Sequence, residues 1–500
     1  MRQISGQEAE DLLLGQIAQH SGGIEQLLAP FDAQEAVFAW LDTIRAVEEF
    51  INLPLFAGLD EALEQAIVNI RLDPFDPITL VPIRKALTAR FGADIAQRFT
   101  LIVLQASALV RAFRANGLLD AVASLRTVRH AVGYFQSRRR HLVALLYLLP
   151  TACRGTQGIE GPDTLNLFLQ RAEYSGITIT GLYEKLMLSK VFPDFELNVD
   201  ATGFSANHHY KPLDSWFLEP ERASITEMQV SAAALDQLEP VDPEKIFSAA
   251  EARNNIRLIE AAYAEFDFSD STFGHVTEFV RRCLSVCEDD YVVRLTTADF
   301  EGFAEQSGVP ASVRRRLVHR GGDYVSCTNA YAPFIELGGS HLSTVTLLSR
   351  FVYYWKSVCL NRVRRFQIRS GFIFENSVKA ALTEQGFTVT DVKRINRKEF
   401  DVVAVLNDVI YNVQCKNNLV DLSHVEADAE RFARYNRQLD RYYARALRKE
   451  EGREQLLKDR LGFSKVKHVV ISRFPVVTAN PHVLAYGRID RFRAMVEHNQ

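Results

Sequence analysis

Two Val-rich runs, 399–406 and 409–416, are separated only by Asn407-Asp408. Both turn residues tolerate the left-handed backbone that a two-residue hairpin turn demands, so the spacing predicts a tight antiparallel hairpin. Leu406 then faces Val409, and counting outward places Asp401 opposite Gln414. Because side chains alternate with period two, Asp401, Gln414 and Lys416 should share one face, continued by Val403, Val405 and Ile410. Phe400, Val402, Leu406, Val413 and Cys415 are expected on the other. Both faces are apolar away from one end, which predicts central strands covered by helices. A charged Asp and Lys at the end of so buried a pair would cost roughly several kcal/mol to desolvate, unless paired or bound to an ion.

The flanking sequence supplies the cover. A helix is expected over 372–385, stopped by Gly386, with Glu375 on the stripe of Val378 and Leu382. Laid over the Asp401 face, that helix would present the Glu375 carboxylate to Asp401. Residues 387–395 and 466–472 read as further strands, and 482–486 as an edge strand. Between them, 425–449 reads as a long helix on which Arg434, Gln438, Arg441 and Arg445 lie three or four apart, interleaved with tyrosines. Such a face clamps a nucleic-acid backbone or is a solvated amphipathic surface; spacing alone leaves both open.

A chain of 500 residues exceeds one core, and 47% hydrophobic with 24% charged residues excludes disorder as its dominant state. The net charge of −4 hides an asymmetry: from Asn361 onward there are 26 Lys and Arg against 17 Asp and Glu, on an otherwise acidic body. Polyanion binding is therefore expected at the C-terminal end. The first ten residues lack a basic segment followed by an apolar one, and the apolar run 142–150 is about half the roughly 20 residues of a spanning helix. The six cysteines match no zinc spacing. A cytoplasmic protein without membrane association is the expectation.

Residues 1 to about 190 show helical periodicity, as in Ala36, Phe38, Leu41, Ile44 and Val47. The pattern loosens over 191–239, read as a long connection; His208-His209 within it lacks a third ligand at metal-binding spacing. Helices resume at 243–266, 274–288 and 297–305. From Thr297 the order is short helix, turn at Ser307–Pro310, second helix at 311–319, then strands 334–337 and 342–347 joined by Gly338-Gly339. This order resembles a helix-turn-helix with a β-wing, with Arg314, Arg315 and Arg316 placed to meet phosphate; the alternative is a helical hairpin with a solvated basic face. A further helix is expected at 351–365. The domains expected are thus 1–215 (helical, role unassigned), 216–365 (a helical middle module with a winged-helix segment at 297–347) and 366–500.

A helical Glu, then Asp, then a strand ending Gln-Cys-Lys resembles the PD-(D/E)XK nuclease superfamily over roughly 369–492. Phe400-Asp401 stands where the superfamily's name has Pro-Asp. Gln414 replaces the second acid, which resembles the Mrr-like branch, where Gln-X-Lys is usual; Glu399 before Asp401 also fits that branch. The resemblance implies a C-terminal α/β/α restriction-endonuclease-like domain with a central mixed sheet. It implies Mg²⁺ or Mn²⁺ on Asp401, Gln414, the Cys415 carbonyl and Glu375, with Lys416 acting on the attacking water or the transition state. The expected function is endonucleolytic hydrolysis of DNA phosphodiester bonds, in restriction or defence against foreign DNA. Alternatives are an inactive DNA-binding scaffold and an RNA-directed nuclease. The helical N-terminal domain is the expected surface for a second copy or a partner protein.

Overall fold

Asn407 and Asp408 both adopt positive φ, 50° and 59°, in the computed structural model. It describes residues 2–55, 59–123, 125–159, 161–200, 203–209, 235–242, 244–246, 248–266, 271–418, 425 and 428–498. The turn sets the register expected from its length: Leu406 pairs with Val409 and Val402 with Val413. These strands, Val402–Leu406 and Val409–Lys416, are the centre of a five-stranded sheet. Thr388–Val389 pairs antiparallel to the first, Lys465–Ser472 parallel to the second, and Val483–Ala485 parallel to that in turn, so the sheet is mixed.

Helices cover both faces. Val402, Ala404, Tyr411 and Val413 pack with Phe374, Val378 and Leu382 of the helix Arg364–Glu384 and with Phe492 and Val496 of Phe492–His498. Val403 and Ile410 point the other way, toward Leu457 of the helix Glu454–Leu461. The helix Ala429–Glu451 covers the rest of that second face, capped by Asp428 Oδ1, which accepts from the amides of Glu430 and Arg431. Its burial pattern (Phe432, Asn436, Leu439, Tyr443, Leu447 inward) follows the helical period.

Several expectations are redrawn. The helix read as 372–385 starts at Arg364, eight residues earlier, because Phe366 and Ser370 extend its buried stripe and Gly371 interrupts neither packing nor hydrogen bonding. The preceding helix is Val345–Leu360. The strand read as 387–395 is only Thr388–Val389; Arg394–Ile395 instead forms its own small hairpin with Lys398–Glu399, turning at Asn396 and Arg397, both at positive φ. The connection read as 191–239 contains two strands, Glu196–Asp200 and Gly203–Ala206, in an antiparallel sheet with Arg2–Ser5. Among the described residues of that stretch only Phe195 and Leu197 are fully buried, so no alternating apolar pattern marks these strands. Residues 210–234 of the same stretch lie outside the described residues.

The chain divides into two compact units that alternate along the sequence, where the sequence reading has three consecutive domains. One combines Met1–Leu13, Tyr183–Trp216 and Val358–Gln500; the other combines Leu14–Leu182 and Phe217–Ser357. The second unit is mainly helical. Ala33–Asn52, Ala93–Ala115 and Val128–Ala152 pack together through Trp40, Ile44, Phe50, Phe99, Ile102 and Phe135. Among the described residues its buried carboxylates are paired: Glu48 with Arg139, Glu49 with Arg98 and Arg45, and Glu173 with Arg138. Ala93–Ala115 is long and apolar enough to cross a membrane, and its side with Phe99, Ile102, Ala106 and Val110 is buried in this unit.

Within it, 297–347 holds the helices Thr297–Gln306 and Ala311–Leu317 and the hairpin Phe334–Leu337/Ser340–Thr344, which turns at Gly338-Gly339. Strand Val292–Thr296 pairs along the hairpin's outer edge and the two-residue strand Val318–His319 along its inner edge. The second helix spans seven residues.

Candidate active site

Asp401 stands at a backbone bend just before its strand. The bend breaks the period-two count: Phe400 packs with Val403 and Ile410, not with Val402 and Val413 as alternation through 401 would require. The Asp401 carboxylate therefore lies at the strand end, where Oδ2 accepts the Cys415 N–H at 2.8 Å across the hairpin. Gln414 and Lys416 project from the face expected, and Lys416 Nζ donates to Gln414 Oε1 at 3.1 Å. Gln414 is 7% exposed, and its buried carboxamide oxygen is satisfied within the site by Lys416.

Glu375 arrives from an unexpected side. Its helix covers the face of Val402 and Val413, opposite to Gln414 and Lys416, so it does not lie over them. The bend nonetheless brings its carboxylate into the field of Asp401. Burial, and next the Asp401 charge, push Glu375 up from the usual 4.5 to about 6. Burial also raises Asp401, against the opposing pull of Lys416 and the Cys415 amide, with Glu450 and Glu399 adding repulsion. Among the described residues neither carboxylate forms a salt bridge. Two half-desolvated acids that repel each other are donors that a hard divalent cation would relieve. Among the described residues no group of three or more His, Cys, Asp or Glu side chains converges, so any such cation would lean on amide and carbonyl oxygen.

Neighbouring groups fix the strand end. Asn417 Nδ2 donates to Ser370 Oγ at 2.8 Å, tying the residue after Lys416 to the Glu375 helix, while Arg473 donates to Asn417 Oδ1 at 3.0 Å. Asn418 donates to the Tyr443 hydroxyl, which also meets Ser472 Oγ. Beneath, Asn412 donates to Glu450 at 3.0 Å, and Arg453 holds the same carboxylate. Sequence reasoning missed Ser370, Asn417 and Glu450, because none belongs to the apolar period that marks the elements.

The basic helix face opens beside this site. Arg434, Arg437, Gln438, Arg441, Tyr442 and Arg445 line one concavity of about 610 Å³, and Lys416 Nζ sits 5.9 Å from the centre of the Tyr442 ring. Arg314, Arg315 and Arg316 belong to the other unit. The Arg314 guanidinium is held by Glu301 and Glu305 and by the Val309 carbonyl, and that of Arg316 lies over the Trp355 ring; Arg315 is exposed. In comparisons with known proteins, the chain matches no family model, no curated protein and no solved structure.

Proposed function

We propose that the C-terminal unit is a metal-dependent nuclease of the PD-(D/E)XK kind, close to the Mrr-like branch, that hydrolyses DNA phosphodiester bonds internally. The supporting observation is the meeting of Glu375 and Asp401, two unpaired and mutually repelling carboxylates, with Lys416 and an arginine-lined cleft. Asp401, Gln414, the Cys415 carbonyl and Glu375 would hold Mg²⁺ or Mn²⁺. Such an ion supplies charge neutralisation at the scissile phosphate and a more acidic bound water. Lys416, kept in place by Gln414 Oε1, orients the attacking water or donates to the developing charge on the phosphoryl oxygens. The Cys415 N–H keeps Asp401 in one rotamer, and the Asn417–Ser370 hydrogen bond keeps the Glu375 helix against the strand end. The clefted helix receives the phosphate backbone, with Tyr442 available to stack on a base. Restriction or defence against foreign DNA, in the cytoplasm, is the biological role proposed with it.

The test is conversion of supercoiled plasmid by purified protein in Mg²⁺, Mn²⁺ or chelator, with matched RNA as a second substrate. Cleavage of DNA that needs the metal supports the reading, and preference for RNA redirects it. One observation favours a second reading, an inactive DNA-binding scaffold: the carboxamide that replaces an acid is already engaged by Lys416. Plasmid binding without cleavage under every metal would select it.

A further inference from the structure

A small ribbon leads into the candidate active site. Arg394–Ile395 and Lys398–Glu399 pair antiparallel, Ile395 with Lys398 and Arg394 with Glu399, which leaves Asn396 and Arg397 as a two-residue turn. Its root is fixed. Val392 and Ile395 pack with Phe400, Val403 and Leu457, the Phe400 N–H donates to the Lys393 carbonyl at 3.0 Å, and Arg453 donates to that of Glu399. The Lys393 charge favours ionised Glu375, and the Glu399 charge opposes ionisation of both Glu375 and Asp401, so the ribbon stands within the field of both carboxylates.

The tip of the ribbon is built against local preference. Asn396 and Arg397 have φ of 46° and 63°. Asn tolerates that left-handed backbone, whereas arginine rarely adopts it and glycine is the residue favoured at the second position of such a turn. Both side chains are exposed, so no packing explains an arginine there. Among the described residues Lys393, Arg397 and Lys398 form no ion pair, while Arg394 is neutralised by Glu399. A disfavoured backbone kept for an exposed, unpaired cation beside a reaction site points to a use outside the fold.

Shape and chemistry restrict that use. The major groove of B-form DNA, roughly 12 Å wide, admits a two-stranded ribbon, and Asn and Arg are the side chains that pair bidentately with the major-groove edges of adenine and guanine. Arg397 is four residues from Asp401, at most about 14 Å between Cα atoms even in extended chain. We infer that the ribbon 393–399 enters the major groove of the substrate duplex, where Asn396 and Arg397 read purines within about half a helical turn of the cut while Lys393 and Lys398 meet the flanking phosphates. This role rests on the nuclease reading and gives it a base preference.

The experiment selects duplexes from a randomised DNA pool on the full chain in chelator, so that no cleavage is needed, with wild type, Arg397→Gly and Asn396→Gly. Glycine suits the left-handed turn, so both variants should fold and melt at or above the wild-type temperature. Wild type should enrich guanine or adenine at one or two positions by about fivefold or more, Arg397→Gly should lose the guanine preference and Asn396→Gly the adenine preference, and both should still bind duplex. Duplex binding without base preference, a preference unchanged in both variants, stronger binding of the matched single strand, or no DNA binding would overturn the inference. Plasmid left intact under every metal, with the selected preference still lost in the variants, would instead remove the nuclease reading and leave the ribbon's role standing.

Discussion

One face of the central hairpin is apolar and dry: Val402, Ala404, Tyr411 and Val413 meet Val378, Leu382 and Phe492. The opposite face, one residue out of phase, carries Asn412, Gln414 and Lys416 toward Glu450, His468 and Tyr442. The same two strands thus anchor the sheet on one side and present chemistry on the other. The bend at Asp401 joins them, since it lets a helix packed on the dry side place Glu375 beside an acid that Lys416 also attracts. An alternating strand alone could not do this.

The comparison breaks most visibly if Asp401→Ala leaves cleavage intact. We expect a loss on the order of a hundred- to a thousand-fold in plasmid nicking rate, as for removal of one preorganised charge-stabilising group, with little change in unfolding midpoint. Leu382→Ala should do the reverse. It creates a cavity in the dry face, costs about 2–5 kcal/mol in urea unfolding, and leaves the chemistry per folded molecule nearly unchanged.

Smaller effects sharpen the contrast between basic surfaces. Arg441→Ala and Arg445→Ala together should weaken DNA binding about tenfold and lower the salt slope by about 2. Arg314→Ala should change it little, because Glu301 and Glu305 already neutralise that guanidinium. The smallest effect concerns pH. Glu375 is raised in the folded chain, so its ionisation weakens the fold; that penalty is absent below about 4.5, grows as pH rises and is complete above about 6. Glu375→Gln should accordingly melt higher than wild type at pH 7.5 and equally at pH 4, and Mg²⁺ should narrow the gap at pH 7.5. Equal melting at both values would remove the repulsion from the account.

Much of the site was legible because its cause is local. A two-residue Asn-Asp turn fixes register, and register fixes which residues of facing strands meet. The helical Arg434, Gln438 and Arg441 likewise line one cleft because 3.6-residue periodicity puts them there. The bend at Asp401 was not legible: nothing in Glu399-Phe400-Asp401 announces a broken alternation, and Phe400 crosses to the other core only because Leu457 and Val403 offer it a partner. The face chosen by the Glu375 helix and the strands at 196–206 depend on pairing with distant segments, which periodicity does not encode.

The most direct measurement pairs metal binding with cleavage in Lys416→Ala, using Mn²⁺ titration calorimetry and plasmid cleavage on the same preparation. This variant should bind Mn²⁺ like the wild type through Asp401, Gln414 and Glu375 while cleavage is lost. Cleavage at the wild-type rate without Lys416, or a wild type that binds no Mn²⁺ and leaves plasmid intact, would contradict it.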